Sequence, residues 1–294
     1  MTTPFLKDKF RGVLLGMACG DALGAQVEFM PRGSFPFQEN MTGAGPHGLK
    51  PGEWTDDTAM ALILAEHLKE DPKVELPGAL VRDWVGWMKH GNGSCTGECF
   101  DIGVQTASAL RYWDEHKRRP KIDPNGCGNG ALMRVAPVAL ANYGDRGAVR
   151  LAATRQAAIT HPESSAQLCA TFAAMVHDAV GRDPKQAQDY LTKYNKPIAM
   201  RLRRDVVSSG HDVATYEAAL WCVITSGSLE QAITTAVNLG DDADTVGSVT
   251  GALAGAVWGA TEIPSRWLTP LAWGPQICAV ADYWFDKRGH QLSR

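Results

Sequence analysis

Apolar residues recur at intervals of three and four along most of the chain. Leu6, Phe10, Val13, Leu14 and Met17 form one such stripe; Leu168, Phe172, Met175, Val176 and Val180 form another. That spacing keeps side chains on one face of a helix. It predicts helices over 5–24, 56–70, 78–90, 101–116, 131–142, 146–159, 163–181, 184–194, 197–208, 212–225, 229–238, 245–260 and 275–288. Pro72, Pro77, Pro120, Pro124, Pro162 and Pro184 punctuate the joins, since proline cannot donate to a helical ladder. Alternating strand patterns are almost absent. The expectation is an all-α fold, one compact many-helix domain over residues 1–294, with no linker-like stretch to divide it.

Two of these helices carry a second period. Gly12, Gly16, Gly20 and Gly24 recur every fourth residue, as do Gly247, Gly251, Gly255 and Gly259. Each set falls on nearly one face, where the missing Cβ lets another backbone approach. Arg11, Asp21 and Glu28 bracket the first set, so close packing in a protein core is expected rather than a membrane span. The two smooth faces are expected at the centre, against each other. Between the first and second helices, residues 30–53 are rich in Gly and Pro and keep no period. A loop of that length inside a compact domain is usually functional, and a lid is the reading adopted.

The polar positions break the pattern at two places. Trp54-Thr55-Asp56-Asp57-Thr58 precedes the apolar run 59–64, and Gly240-Asp241-Asp242-Ala243-Asp244-Thr245 precedes the second glycine helix. One oxygen at a helix start is a cap, and Asp244 or Thr245 would serve. Several carboxylates together repel unless a cation sits among them. Hard oxygen donors of this kind suit Mg²⁺ or Mn²⁺, not zinc or copper, and two such sets allow a two-metal site. Glu28 is either solvated surface or a general acid or base beside the metals. Gly126-Cys127-Gly128-Asn129-Gly130 is a glycine-rich turn, with Ala131-Leu132-Met133-Arg134 expected to open a helix behind it. Its backbone N–H groups are candidates to cradle phosphate. Ser94-Cys95-Thr96-Gly97 and Asp101-Ile102-Gly103 read as another loop-to-helix start. His161, in Thr160-His161-Pro162, lies at a helix junction, where a lone histidine is more often structural than catalytic.

Charge narrows the field. With 29 basic and 32 acidic residues the net charge is −3, which argues against a nucleic-acid or membrane-surface binder. The seven cysteines are scattered and odd in number, and the N-terminus carries no signal pattern; a cytoplasmic location is expected.

Taken together, the motifs resemble the ADP-ribosylglycohydrolase family. The resemblance rests on Gly20-Asp21-Ala22-Leu23-Gly24 with Glu28-Phe29, the Trp54–Thr58 cluster, Gly128-Asn129-Gly130-Ala131-Leu132-Met133-Arg134, Thr160-His161-Pro162 and the Gly240–Thr245 cluster, in the family's order. It implies an orthogonal all-α fold with two Mg²⁺ or Mn²⁺ ions held by Thr55, Asp56, Asp57, Asp242, Asp244 and Thr245. It implies catalytic roles for Glu28, Asp57, Asp101 and Asp242. An ADP-ribose pocket would include Glu28, Thr96, Gly97, Asp101, Gly128, Asn129, Gly130, Met133 and His161. Asp241 stands where the family often has glycine. The implied activity is hydrolysis at C1″ of ADP-ribose linked to a protein or small molecule, with arginine the favoured acceptor. The residues alone also allow another dinuclear hydrolase of phosphate or nucleotide substrates, or a non-catalytic ADP-ribose binder.

Overall fold

The structure is a computed structural model and describes residues 3–291. Helices run in the order α1 (Thr3–Gly24), α2 (Asp56–His67), α3 (Pro77–His90), α4 (Val104–His116), α5 (Pro137–Ala141), α6 (Arg146–Ala157), α7 (Glu163–Val180), α8 (Pro184–Tyr194), α9 (Lys196–Ala199), α10 (Asp212–Thr225), α11 (Leu229–Val237), α12 (Ala243–Trp258), α13 (Ser265–Leu268) and α14 (Gly274–Gln291). Among the described residues there is no strand, only isolated bridges at Ala44–Leu49 and Gly128–His211. No helix among them is long and apolar enough to cross a membrane.

The centre is the pair α1 and α12, buried along most of their lengths. They lie antiparallel: Gly12 faces Gly255, Gly16 faces Gly251, Gly20 faces Gly247, and Gly24 faces Ala243 and Asp244. The two backbones touch, so that a Cβ on Gly12 would lie 2.5 Å from the Gly255 carbonyl oxygen. Any side chain there would force the helices apart, so the glycine period found in the sequence sets the interhelical distance. It also sets the address of the chemistry. The C-terminal end of α1, carrying Asp21, is held against the N-terminal end of α12, carrying Asp244. Around this pair the core fills with large side chains, including the fully buried Trp54, Trp84, Trp87 and Trp267. Each contributes about 2–3 kcal/mol by leaving water.

The helix bounds differ from the expected ones where local chemistry intervenes. No helix opens at Ala131: turns cover 131–134 and α5 begins only at Pro137, whose missing N–H breaks any ladder arriving from Met133. The helix expected over 197–208 stops at Ala199. Beyond it, the Arg32 guanidinium takes the carbonyls of Arg203 and Val206, at 2.8 and 2.5 Å, so those carbonyls point away from a helical ladder. The helix expected from Asp101 starts at Val104 instead, because Asp101 has φ +59°, outside the helical region. The short α13 has no counterpart in the apolar pattern.

Candidate metal centre and active-site cavity

The two acidic clusters meet. Asp21, fully buried near the end of α1, accepts from the backbone N–H and hydroxyl of Thr55 (2.9 and 3.0 Å) and from those of Thr58 (3.0 and 2.6 Å). One carboxylate from α1 thus pins the start of α2. The glycine seam delivers the start of α12 to the same place. Thr245 Oγ1 then donates to Asp57 Oδ2 at 3.2 Å, and Thr55 Oγ1 lies 3.3 Å from Asp244 Oδ2. Capping, the simpler reading of these oxygens, does not hold. Thr55 and Asp242 occupy the N-cap positions without any side-chain cap bond, while Asp244 and Thr245 lie inside the first turn of α12.

Gly240 and Asp241 take the left-handed conformation in succession, with φ +74° and +53°, which aspartate tolerates better than most residues. The resulting turn pairs with the chain beyond Glu28: Phe29 N–H donates to the Asp241 carbonyl and Asp241 N–H to that of Met30, both at 2.8 Å. Glu28 is thereby brought beside Asp242 and Asp244, within ligand-sharing distance of both. Asn129 Nδ2 donates to Asp242 Oδ2 at 2.5 Å and so fixes its orientation.

Asp21, Glu28, Asp56, Asp57 and Asp244 are buried, and Asp101 and Asp242 are half-buried. Burial first, and neighbouring negative charge after it, pushes Asp56, Asp57 and Asp244 well above the ordinary carboxylate range. The same causes raise Glu28 to about 9. Asp101 rises to about 7 through burial. Asp21 is also raised by burial, to about 6, with four hydrogen bonds from Thr55 and Thr58 opposing the shift. Two oxygens, Asp57 Oδ1 and Asp244 Oδ1, are buried with no hydrogen-bond partner. Such orphans are costly unless something positive meets them. The oxygen-only donor set of Thr55, Asp56, Asp57, Asp242, Asp244 and Thr245 fits Mg²⁺ or Mn²⁺ in chemistry.

Above this layer opens a cavity of about 1010 Å³. Glu28, Asp56, Asp101, Asp242 and Thr245 border its acidic end, and Gly128, Asn129, Gly130, Met133 and His161 border its wall. Thr96 and Gly97, expected in the pocket, do not line it. Both are exposed, and the Thr96 hydroxyl pairs with Ser94 Oγ at 3.0 Å inside its own turn. The glycine loop is also less free than a phosphate cradle requires. Asn129 N–H donates to the Gly210 carbonyl (3.1 Å) and Gly128 N–H to Gln105 Oε1 (3.3 Å).

His161 owes its place to Arg134. The Arg134 guanidinium is fully buried, stacks 4.1 Å over Trp84 and donates to Gln156 Oε1 (2.9 Å) and Thr160 Oγ1 (2.8 Å). Arginine cannot accept, so the Thr160 hydroxyl is free to donate to His161 Nδ1, 2.7 Å away. Burial, aided by the nearby Arg134 charge, lowers His161 to about 3. The shift favours the neutral imidazole, whose Nε2 lies on the side of the glycine loop.

Three features escaped the sequence reading. Asp21 proves to be the clamp on α2; its signal was a lone carboxylate among the small and apolar residues of a buried helix end. His47, from the 30–53 loop, reaches Glu28; nothing in the local sequence marks it. Residues 207–210 form one wall of the cavity, where a helix had been expected to end. The 30–53 loop itself is tied down by Gln26, which contacts Gln38, Asn40, Thr42 and Gly43.

Comparison with known proteins bears on this arrangement. The family model described as ADP-ribosylglycohydrolase matches residues 2–293. An ADP-ribosylarginine hydrolase of Pseudomonas putida (strain GB-1) is 37% identical over 95% of this chain and 78% of its own. The ADP-ribosyl-[dinitrogen reductase] glycohydrolase of Rhodospirillum rubrum is 34% identical over 92% of each. A solved structure titled ADP-ribosylglycohydrolase-related protein complex superposes with a TM-score of 0.81 at 33% identity, covering 96% of this chain and 99% of that one. With motifs, fold and whole-length similarity in agreement, the chain belongs to the ADP-ribosylglycohydrolase family and is by class a glycohydrolase.

Proposed function

We propose that this protein hydrolyses the bond between C1″ of ADP-ribose and a modified acceptor, with ADP-ribosylated arginine, on a protein or a small molecule, as the first substrate. One observation carries the reading: two acidic helix starts, remote in sequence, converge with orphaned oxygens on Asp57 and Asp244 beneath a large cavity. The names of the two bacterial relatives support the substrate class.

Thr55, Asp56, Asp57, Asp242, Asp244 and Thr245 would hold two Mg²⁺ or Mn²⁺ ions. When bound, the ions supply countercharge to the buried carboxylates and Lewis acidity toward ribose hydroxyl and water oxygens. Asp101, which lines the cavity beside Glu28, takes the proton of the attacking water as the C1″–N bond breaks. That proton then passes to the departing guanidine. Glu28, on the same acidic end of the cavity, hydrogen-bonds a ribose hydroxyl. Asp242, on the cavity lining, sets negative charge beside the anomeric carbon as it gains oxocarbenium character, and Asp57 acts from beneath through the cations it would hold. Gly128–Gly130, Met133 and His161 border the space for the rest of the ADP-ribose.

A panel of ADP-ribosylated substrates with Mg²⁺ or Mn²⁺, read by mass spectrometry, tests the reading. Free ADP-ribose from an arginine-linked substrate, stopped by chelator, is the expected result. Release of phosphate or nucleotide would point to the rival dinuclear hydrolase, and binding without turnover to a non-catalytic ADP-ribose binder.

A further inference from the structure

The side chain of His47 meets both reacting carboxylates at once. Its Nε2 stands 2.8 Å from Glu28 Oε2 and 3.5 Å from Asp101 Oδ1. Its ring sits between Phe29 and Phe100, at centroid separations of 6.3 and 5.2 Å, and these are the chain neighbours of the two acids. The imidazole is 17% exposed and does not line the cavity, whereas Glu28 and Asp101 do. It therefore backs the acids and does not face substrate.

The two acids need such a partner. Glu28 follows a short 3₁₀ turn (Ala25–Val27), and Asp101 precedes α4 by three residues. Neither is held by a regular helix, and the backbone is left-handed at Phe29 (φ +63°) and at Asp101 (φ +59°). An outside donor fixes which way such carboxyl groups turn. The imidazole that reaches both comes from the 30–53 loop, from a tight turn closed by the Ala44–Leu49 bridge.

We propose that His47 is a positioning residue: its Nε2–H, donated to Glu28 and set beside Asp101, links the 30–53 loop to the reacting carboxylates. The inference rests on the roles given above to Glu28 and Asp101. It differs from a packing role in one respect: it needs a donor at the Nε2 position and not merely a filled space between two aromatic rings.

That difference gives the test. In His47→Ala, kcat should fall about 10- to 100-fold, the range for a lost outer hydrogen bond, with KM changed less than about threefold. His47→Gln places an amide N–H near the Nε2 position and should recover most of kcat. His47→Asn places it nearer Nδ1 and should not. Thermal melting should be close to wild type in all three, since the side chain sits on a loop. Wild-type kcat in the Ala variant would overturn the proposal. Equal loss in all three variants would also overturn it, by showing that the ring and not its N–H matters. If the wild-type protein releases no ADP-ribose, the functional reading fails by itself. A crystal structure of His47→Ala then decides the positioning claim alone: the carboxyl groups of Glu28 and Asp101 should turn, and an unmoved pair would refute it.

Discussion

Thr245 Oγ1 donates to Asp57 Oδ2 at 3.2 Å across 188 residues of sequence. The contact joins the first turn of α12 to the first turn of α2. It exists because α1 reaches both, α12 through the glycine seam and α2 through the four bonds made by Asp21. The candidate site is therefore a property of three helix ends, none of which carries it alone.

The bond to Thr245 satisfies one oxygen of Asp57 and leaves the other buried and unpartnered. Asp57→Asn keeps the shape and removes the charge. Turnover should fall by more than about a hundredfold, and Mn²⁺ should lose most of its stabilising effect in thermal melting. The metal-free melting temperature should hold or rise, because burial already disfavours the ionised carboxylate. Wild-type turnover in this variant would contradict the ligand role.

Metal-free stability should depend on pH in a particular sense. Glu28, Asp101 and Asp21 are raised to about 9, 7 and 6, from ordinary values of 4.5, 3.8 and 3.8. Between each ordinary value and its raised one, the folded protein binds more protons than the unfolded chain. Their contribution to stability is therefore greatest below about pH 4 and declines as pH climbs toward about 9. In chelator, melting at about pH 8 should lie below melting at about pH 6. Saturating Mn²⁺, worth about 2.7 kcal/mol at a hundred times its Kd, should raise melting more at the higher pH. A pH-independent response to Mn²⁺ would contradict the assignment of cations to this cluster.

The seam allows no side chain. Gly16→Ala and Gly251→Ala each place a methyl into the facing backbone carbonyl, which cannot rotate away. A loss of about 3 kcal/mol is expected, the upper end for overpacking, seen as a melting temperature lower by at least about 6 °C. Activity should fall with it, because separating α1 from α12 moves Asp21 away from Asp244. Gly78→Ala, with open space around its Cβ position, is the control and should change neither. Equal stability in seam and control variants would show that the helices are not in contact.

The sequence by itself determined the helices, the two glycine faces and most of the acidic donors. These are local consequences of period and composition: a fourfold glycine repeat makes a smooth face wherever the helix goes, and adjacent aspartates at a helix start repel in any fold. Only the tertiary structure decided which acids share a space. It turned Asp21 from an incidental helix residue into the clamp on Thr55 and Thr58, drew His47 in from an unpatterned loop and left Thr96 and Gly97 outside the cavity. It also delayed the helix expected from Ala131 to Pro137 and stopped the one expected over 197–208 at Ala199, where the missing N–H of Pro137 and the reach of Arg32 prevail. The reason is the same in each case. Hydrogen bonds between remote side chains depend on how backbones pack, and no period along the chain encodes the partner.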